Sequence, residues 1–346
     1  MGAAQTSRER ICMTTEVINR PQIAAKNESA WIKSGVAVTA TSASDVARQA
    51  GLDWSVSLHP VTTLYQIPGK GLPMHIPVNN KQAVVKTTPT GEVIPLGIVG
   101  NKYKPLQNAE VFSVLDTLID SGDARYAAAG EYAAGAKVWM LMQLPIEMEI
   151  LGDPHAAFLL AKTTHDGSGS VLIRPIIERL FCHNQINKIY RATDKKHTYM
   201  LRHTTNSKLD VNDVRGILDI AYTTINDYTV MSETMLDRQV TRQQAVDYFK
   251  KVFPLPSKVE DTPLDLLSAG EKMQRTNALN HRARSLDIYE NSPTQENIRE
   301  TAFGLWQAVV EYADHGKPGK SRSLGVRTMS GGSDSLKIRA QELALA

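Results

Sequence analysis

Residues 156–177 read AAFLLAKTTHDGSGSVLIRPII, and this stretch decides the fold class that we predict for the chain. Two runs rich in apolar residues, 156–164 and 170–177, flank the turn-forming segment His165-Asp-Gly-Ser-Gly169. Apolar runs of this length on either side of a glycine-rich turn are typical of a β-hairpin. We therefore predict two neighbouring antiparallel strands joined by a tight turn.

The chain before this hairpin continues the strand pattern. Strands are predicted at 125–133 and 137–144, joined around Gly135, so that the middle of the chain becomes an antiparallel meander. A predicted helix from Asn108 to Gly122 precedes the meander. Before that helix, the pattern predicts a short helix at 44–50 and strand-like segments at 54–58, 61–66, 83–88 and 93–99.

The chain after the hairpin becomes mainly helical. We predict a helix at 181–191 that packs across the meander, followed by a strand at 198–203. Ser292-Pro-Thr-Gln295 fits a capping box with proline in the first turn, which predicts a helix from Ser292 to Gly316. The other predicted helices cover 211–235, 241–253, about 263 into the 280s, and 335–344.

These patterns predict an α+β protein, with an antiparallel β-sheet, a β-β-β-α core and a helical C-terminal part. Residues 1–30 are polar and lack periodicity, so we interpret them as a flexible N-terminal arm. We expect an α+β core domain with a basic face at 31–208, and a helical region at 209–346 that packs on this core.

Composition narrows the class of protein. The chain has 346 residues, of which 42% are hydrophobic and 22% charged, as is usual for a soluble globular protein. No apolar run approaches the roughly 18 residues of a transmembrane helix, and the first residues lack the apolar segment of a secretory signal. Two cysteines argue against a disulfide framework or a cysteine zinc site. We expect a cytoplasmic protein with no membrane partner, metal or cofactor.

The prediction of function rests mainly on a basic block, Leu160 to Lys208. It holds nine Lys and Arg against three acidic residues, a net charge of +6, whereas the whole chain carries +3. Such a block within folded sequence predicts a phosphate-binding face, and its few aromatic residues disfavour a base-stacking platform. The predicted nucleic-acid contacts are Lys162, Arg174, Arg179, Lys188, Arg191, Lys195, Lys196, Arg202 and His203, with Lys102, Tyr103 and Lys104 as secondary contacts.

Other interpretations of these residues stay open. A charge run is often an ordinary solvated face of a protein. His165, Asp166 and His203 offer acid–base or metal-binding groups for an enzyme that acts on nucleic acid or nucleotides, although the helical spacings of metal ligands are absent from the block. An aspartate beside a turn glycine usually serves the turn itself. A protein–protein interaction module is the third alternative.

Short motifs are spread over about residues 31–345. They are Ala50-Gly-Leu-Asp-Trp54, Leu96-Gly-Ile-Val-Gly-Asn-Lys-Tyr103, Gln107-Asn108, Ala156-Ala-Phe-Leu-Leu160, Thr164-His-Asp-Gly-Ser168, Phe181-Cys-His-Asn184, Leu201-Arg-His-Thr204, Ala308-Val-Val-Glu-Tyr-Ala-Asp-His315 and Leu336-Lys-Ile-Arg-Ala340. Together they resemble the phage- or plasmid-like proteins grouped as domain of unknown function 932. This resemblance implies a mobile genetic element and hence the cytoplasm of a bacterial host. The segment at Trp31 differs, because it reads Trp-Ile-Lys-Ser-Gly where many members have Trp-His-Gly.

A more distant resemblance concerns the region 137–191, which looks like the β-β-β-α core of ring-forming single-strand annealing proteins of phages. It implies single-stranded DNA binding and ATP-independent strand annealing in recombination or replication, with no catalytic residues. Annealing needs many nucleotides held in register. The resemblance therefore implies a homo-oligomer, a ring or a filament, with the sheet edges as natural contacts.

Overall fold

A computed structural model confirms the α+β class, with antiparallel sheets followed by a helical C-terminal region. The structure describes residues 11–14, 34–66, 68–69, 72–113, 115–180, 184–186, 198–203, 211–316 and 332–346. The strands are β1 (Ile11–Thr14), β2 (Val36–Ala37), β3 (Ser55–Tyr65), β4 (Met74–Thr87), β5 (Val93–Gly100), β6 (Arg125–Tyr132), β7 (Lys137–Ile150), β8 (Asp153–Thr164), β9 (Val171–Arg179), β10 (Asn184–Ile186) and β11 (Tyr199–Leu201).

The larger sheet contains the predicted meander. Strands β6, β7, β8 and β9 follow one another as antiparallel neighbours, and the order across the sheet is β10-β9-β8-β7-β6-β2. Two further strands extend this sheet, because β1 pairs with β7 and β11 pairs with β9. Strands β8 and β9 are buried on both faces, which explains why their sequences are nearly continuous apolar runs. One face packs on the main core and the other on a smaller cluster around Trp139 and Phe158.

The smaller sheet has the order β3-β4-β5 and is also antiparallel. Its inner end is buried at Val56, Val84 and Val99, which join the main core. The hairpin of β3 and β4 is much longer than β5, which pairs with β4 only between Lys81 and Thr87. The two strand segments predicted at 54–58 and 61–66 are therefore one long strand with an irregularity near Val61.

The helices are α1 (Ala43–Gln49), α2 (Asn108–Ser113), α3 (Asp116–Asp120), α4 (Val211–Leu236), α5 (Arg242–Val252), α6 (Ser257–Asp261), α7 (Ala269–Asn291), α8 (Ala302–Glu311) and α9 (Asp334–Leu345). Helix α4 packs on β9, and α8, all of whose residues are buried, packs against α7, α9 and β10. Within the described part of the chain, no helix is long and apolar enough to cross a membrane.

The helix predicted at 181–191 is wrong where the structure describes this segment. Residues 184–186 form β10, which pairs with residues 177–179 of β9. The long helix that packs on the sheet comes later, as α4. Asn184 is fully buried and its amide contacts Gln307 at 3.4 Å, so a long-range partner holds the segment as a strand. Local helical spacing carries no information about such a partner.

The helix predicted from Ser292 begins later than expected. The Ser292 side chain accepts a bond from the Thr294 amide, but it caps only a 3-10 turn at Pro293–Gln295. Helix α8 begins after Thr301, whose side chain accepts from Gly304 N–H. Glu300 has a φ of 64°, a left-handed backbone conformation that ends the preceding segment and separates the turn from the helix.

Residues 11–14, which fall in the predicted N-terminal arm, form β1 beside β7. The remainder of residues 1–30 lies outside the described part of the chain.

Candidate nucleic-acid interface

A buried ion pair stands where the two sheets meet. Lys86 on β4 is 5% exposed, and its ammonium donates to both carboxylate oxygens of Glu131 on β6, at 2.7 and 2.9 Å. The Trp54 indole donates to the same carboxylate at 2.8 Å, and the Lys86 Nζ lies 4.4 Å from the centre of a Trp54 ring. The Glu131 carboxylate and the Trp54 ring together offset the free-energy cost of burying the Lys86 ammonium. This arrangement ties the small sheet to the large one.

His165 continues this polar junction as a neutral ring. Its Nε2 lies 2.9 Å from Asn108 Oδ1, while the Asn108 Nδ2 donates to the carbonyl of Leu52 at 2.9 Å. The Asn108 oxygen therefore faces His165, and the imidazole Nε2–H is the donor. Burial, and next the nearby His203, lower the pKa of His165 to about 4. The ring packs edge-on against Trp54, with the centroids 5.3 Å apart.

The turn between β8 and β9 is held from inside by Asp166. Its carboxylate accepts from the Ser168 amide at 2.9 Å and forms an ion pair with Lys137 at 2.9 Å. Burial opposes ionisation of Asp166, but the hydrogen bonds from Ser168 and the Lys137 ammonium outweigh burial and lower the pKa of the carboxyl. The Asp166 carboxylate therefore stabilises the turn.

Two stacked rings lie beside this turn. The rings of Tyr103 and His203 are nearly parallel, at 18°, with centroids 5.1 Å apart. The Tyr103 hydroxyl donates to the Thr164 carbonyl at 3.2 Å, and the His203 Nε2 lies 3.4 Å from Thr163 Oγ1. Burial raises the pKa of Tyr103 and lowers that of His203, so both rings are neutral at pH 7. The pair joins the segment after β5 to the end of β11.

Exposed cations surround the stacked rings. Lys102 and Lys104 flank Tyr103 in sequence and Arg202 precedes His203, and all three are exposed. The Lys104 amide donates to the His203 carbonyl at 3.3 Å, which brings the two segments side by side. Lys81 joins the group from β4, because it pairs with Gly100 at the end of β5. We call Lys81, Lys102, Lys104 and Arg202 the exposed cation group.

The exposed cation group differs from the other lysines of this junction in its ion pairing. Within the described part of the chain, no carboxylate forms an ion pair with any of its four members, unlike Lys86 and Lys137 nearby. Lys81 was missed by the sequence analysis, because it lies far before the basic block. Only the register of β4 and β5 shows that it is close to Lys102.

The three other predicted contacts that the structure describes are more enclosed. Lys162 is half-buried, and burial, with repulsion from Arg174 and Lys137, lowers its pKa to about 8. Arg174 is buried, 3.8 Å from the carboxylate of Asp334 on α9. Lys162 and Arg174 therefore lie on a covered part of the sheet.

Arg179 is 2% exposed. It forms an ion pair with Asp153 and donates to the carbonyl of Thr294. This arginine binds the sheet to the turn that precedes α8. Lys188, Arg191, Lys195 and Lys196 lie outside the described residues, between β10 and β11 in the sequence.

The residues of the alternative enzyme hypothesis are engaged in structural contacts. His165 bonds to Asn108, Asp166 to Lys137 and Ser168, and His203 to Thr163. Among the residues that the structure describes, no group of three or more His, Cys, Asp or Glu side chains is placed to hold a metal ion. These contacts hold the two sheets together, and the neighbouring exposed cation group remains at the surface.

A family model, described as a domain of unknown function (DUF932), matches residues 95–342. The match begins at β5 and contains Tyr103, Asn108, His165 and His203, so it starts later than the resemblance noted from about residue 31. No curated protein and no solved structure matches the chain.

Proposed function

The chain belongs to the DUF932 family of domains of unknown function, and for this member we propose single-stranded DNA binding and ATP-independent annealing. The phosphates would bind the exposed cation group. The observation that carries the proposal is that four exposed cations lie on adjoining segments, namely β4, the segment after β5 and the end of β11, and form no ion pair with a carboxylate of the described residues. Lys and Arg at a surface bind the nucleic-acid backbone without reading its sequence.

The stacked rings next to these cations support binding through the backbone. Tyr103 and His203 each have one ring face covered by the other, at a centroid separation of 5.1 Å. Base-stacking platforms need ring faces that are free to receive bases. A strand held mainly by its phosphates keeps its bases available for a complementary strand, which is what annealing requires.

Self-assembly is part of this proposal. One exposed cation group spans only a few phosphates, whereas annealing needs many nucleotides held in register. We propose that several copies assemble as a ring or filament, and that the protein acts in phage or plasmid recombination or replication in the bacterial cytoplasm.

A pair of charge-reversal variants tests the binding site. We expect Lys104→Glu/Arg202→Glu to lose at least tenfold in affinity for a fluorescein-labelled single strand of about 30 nucleotides, measured by anisotropy at low salt. The control is Lys251→Glu/Arg284→Glu, which makes the same charge change at two exposed positions of α5 and α7. Its affinity should change less than threefold. Equal losses in both variants, or no binding by the unaltered chain, would contradict the proposal.

A further inference from the structure

A pocket of about 270 Å³ lies where three helices of the C-terminal region meet. Helix α5, the first turn of α8 and the last turn of α9 line it, together with the segment that joins α4 to α5. We call it the three-helix pocket. It contains no member of the exposed cation group. Its lining residues are Arg238, Val240, Gln244, Asp247, Tyr248, Lys251, Ala302, Leu305, Leu343 and Ala344.

Helix α5 turns one of its sides towards the pocket. The lining residues of this helix fall at positions i, i+3, i+4 and i+7, which lie on one side of an α-helix. A capping box of Thr241 and Gln244 holds the first turn, and the Tyr248 hydroxyl donates to the Ala340 carbonyl of α9 at 2.8 Å. These contacts hold α5 beside α9, so the pocket is preformed. The four residues are Gln244, Asp247, Tyr248 and Lys251.

The floor of the pocket is apolar. Val240, Ala302 and Leu305 are each at most 9% exposed, and Ala344 is also buried. Because the charged lining residues are more exposed, the apolar side chains form the floor and the charged ones form the rim. A cavity of about 150 Å³ holds a benzene molecule. The three-helix pocket therefore has room for one phenyl ring and a short chain that ends in a polar group.

The rim of the pocket carries two exposed cations, Arg238 and Lys251. Among the ion pairs of the described residues, none involves either of them. The Arg238 Nη1 donates to the carbonyl of Ala344 at 3.2 Å, which holds this guanidinium beside the end of α9. The single carboxylate of the lining, Asp247, forms an ion pair on its own helix with Lys250, at 3.6 Å. The rim therefore has an excess of positive charge.

A neutral donor stands on the same rim. The Gln244 Oε1 accepts from the Thr241 amide at 2.8 Å, which fixes the orientation of the carboxamide. The Gln244 Nε2 makes no hydrogen bond with a residue that the structure describes. The rim thus offers N–H donors from a guanidinium, an ammonium and a carboxamide, and an oxyanion accepts hydrogen bonds from all three.

We propose that the three-helix pocket binds a small organic carboxylate whose body is a single aromatic ring. The carboxylate would accept from Arg238 and Lys251, and the ring would lie on the apolar floor. A guanidinium binds a carboxylate through two parallel N–H···O bonds, and an apolar lining with a few polar groups is usual for small-molecule sites. An inorganic anion would contact the rim and leave the floor to water, so the floor indicates an organic ligand.

Isothermal titration calorimetry of the full chain with 3-phenylpropanoate as the probe tests this site. We expect a Kd of about 1 mM, since a ligand of about eleven non-hydrogen atoms gains little free energy per atom. The amide 3-phenylpropanamide keeps the ring without the charge, and acetate keeps the charge without the ring. Each should bind at least about tenfold more weakly. An acid that binds no better than either compound, or that gives no heat at about 10 mM, would overturn the proposal.

Matched variants locate the bound probe. Arg238→Gln/Lys251→Gln removes both rim cations and should weaken binding of 3-phenylpropanoate at least about tenfold. The control Arg215→Gln/Arg284→Gln makes the same charge change at exposed positions of α4 and α7, and should bind as the unaltered chain does. Because Arg238 also contacts α9, Lys251→Gln alone is a second variant, which should bind about threefold more weakly. Equal affinity in all four proteins would contradict the assignment. None of these measurements contains DNA, so failure of the proposed DNA binding remains distinguishable.

Discussion

Gly97 of β5 lies directly against the main chain of Asp166, in the turn between β8 and β9. A Cβ atom at position 97 would stand 2.7 Å from the Asp166 Cα and 2.8 Å from its carbonyl oxygen. Gly167, which follows Asp166 in that turn, has a φ of 75° and approaches the Val99 side chain of β5. The turn that closes one hairpin is therefore also the joint between the two sheets.

Substitution of Gly97 tests this joint. We expect Gly97→Ala to lower the free energy of unfolding by about 1–3 kcal/mol, because the added methyl group would overlap backbone that cannot rotate away. Urea denaturation measures the change. Gly100→Ala is the matched control on the same strand, since a Cβ there meets nothing within 4 Å. Equal stability of the two variants would show that the sheets do not meet as described.

The ion pair of Lys86 and Glu131 should contribute measurably to stability. We expect Lys86→Ala to reduce the free energy of unfolding by about 2 kcal/mol, less than for a fully buried pair because the Glu131 side chain is 28% exposed. A double-mutant cycle with Glu131→Gln isolates the pairwise energy. The exposed pair Arg48–Asp45 provides the comparison, and Arg48→Ala should cost below about 0.5 kcal/mol. A coupling energy near zero would show that the pair is not formed.

Protonation of His165 should weaken the folded state in acid. The folded pKa of about 4 lies below the ordinary value of 6.5, so the unfolded chain binds more protons between these pH values. The free energy of unfolding therefore rises with pH in this window. The contribution of His165 is present above pH 6.5 and is lost as the pH falls towards 4, by up to about 3 kcal/mol.

Urea titrations at several pH values measure this dependence. His165→Gln should reduce the slope of the free energy of unfolding against pH between pH 7 and 4, relative to the unaltered chain. The control His59→Gln, which alters an exposed histidine on β3, should keep the slope of the unaltered chain. An unchanged slope in His165→Gln would mean that this histidine titrates normally in the folded protein.

Two arginines that the sequence assigned to the same face should behave differently. We expect Arg179→Gln to destabilise the protein by about 3 kcal/mol, because it leaves the buried carboxylate of Asp153 without its partner. Arg202→Gln should change the free energy of unfolding by less than about 0.5 kcal/mol, since Arg202 is exposed. This variant should instead weaken DNA binding. Thermal unfolding and anisotropy on both variants separate the two roles. A destabilised Arg202→Gln would remove Arg202 from the proposed interface.

The sequence predicted those parts of the fold that depend on local pattern. The meander from β6 to β9 and the helical C-terminal region follow from apolar runs, turn residues and helical spacing, and the structure confirms them. The helix at 181–191 failed at 184–186, because Asn184 is held by Gln307, more than a hundred residues away.

The candidate site was predictable only in part, for the same reason. The basic block predicted Arg174 as a nucleic-acid contact, but nothing near Arg174 in the sequence shows that it lies beside Asp334 of α9. Conversely, Lys81 joins Lys102 only through strand register. Trp54, Asn108 and His165 belong to motifs that indicated the family resemblance, and they meet at the junction of the two sheets. Their contact could not be predicted, because they are far apart along the chain.

The salt dependence of single-stranded DNA affinity tests the central proposal most directly. Each phosphate contact on a single strand contributes a slope of about −0.7 to log affinity against log salt, so four contacts predict about −2.8, or roughly a fiftyfold loss between 50 and 200 mM salt. Lys104→Glu/Arg202→Glu should reduce the slope to about −1.4, while Lys251→Glu/Arg284→Glu should leave it unchanged. A slope that is the same in all three proteins would contradict the assignment of DNA binding to the exposed cation group.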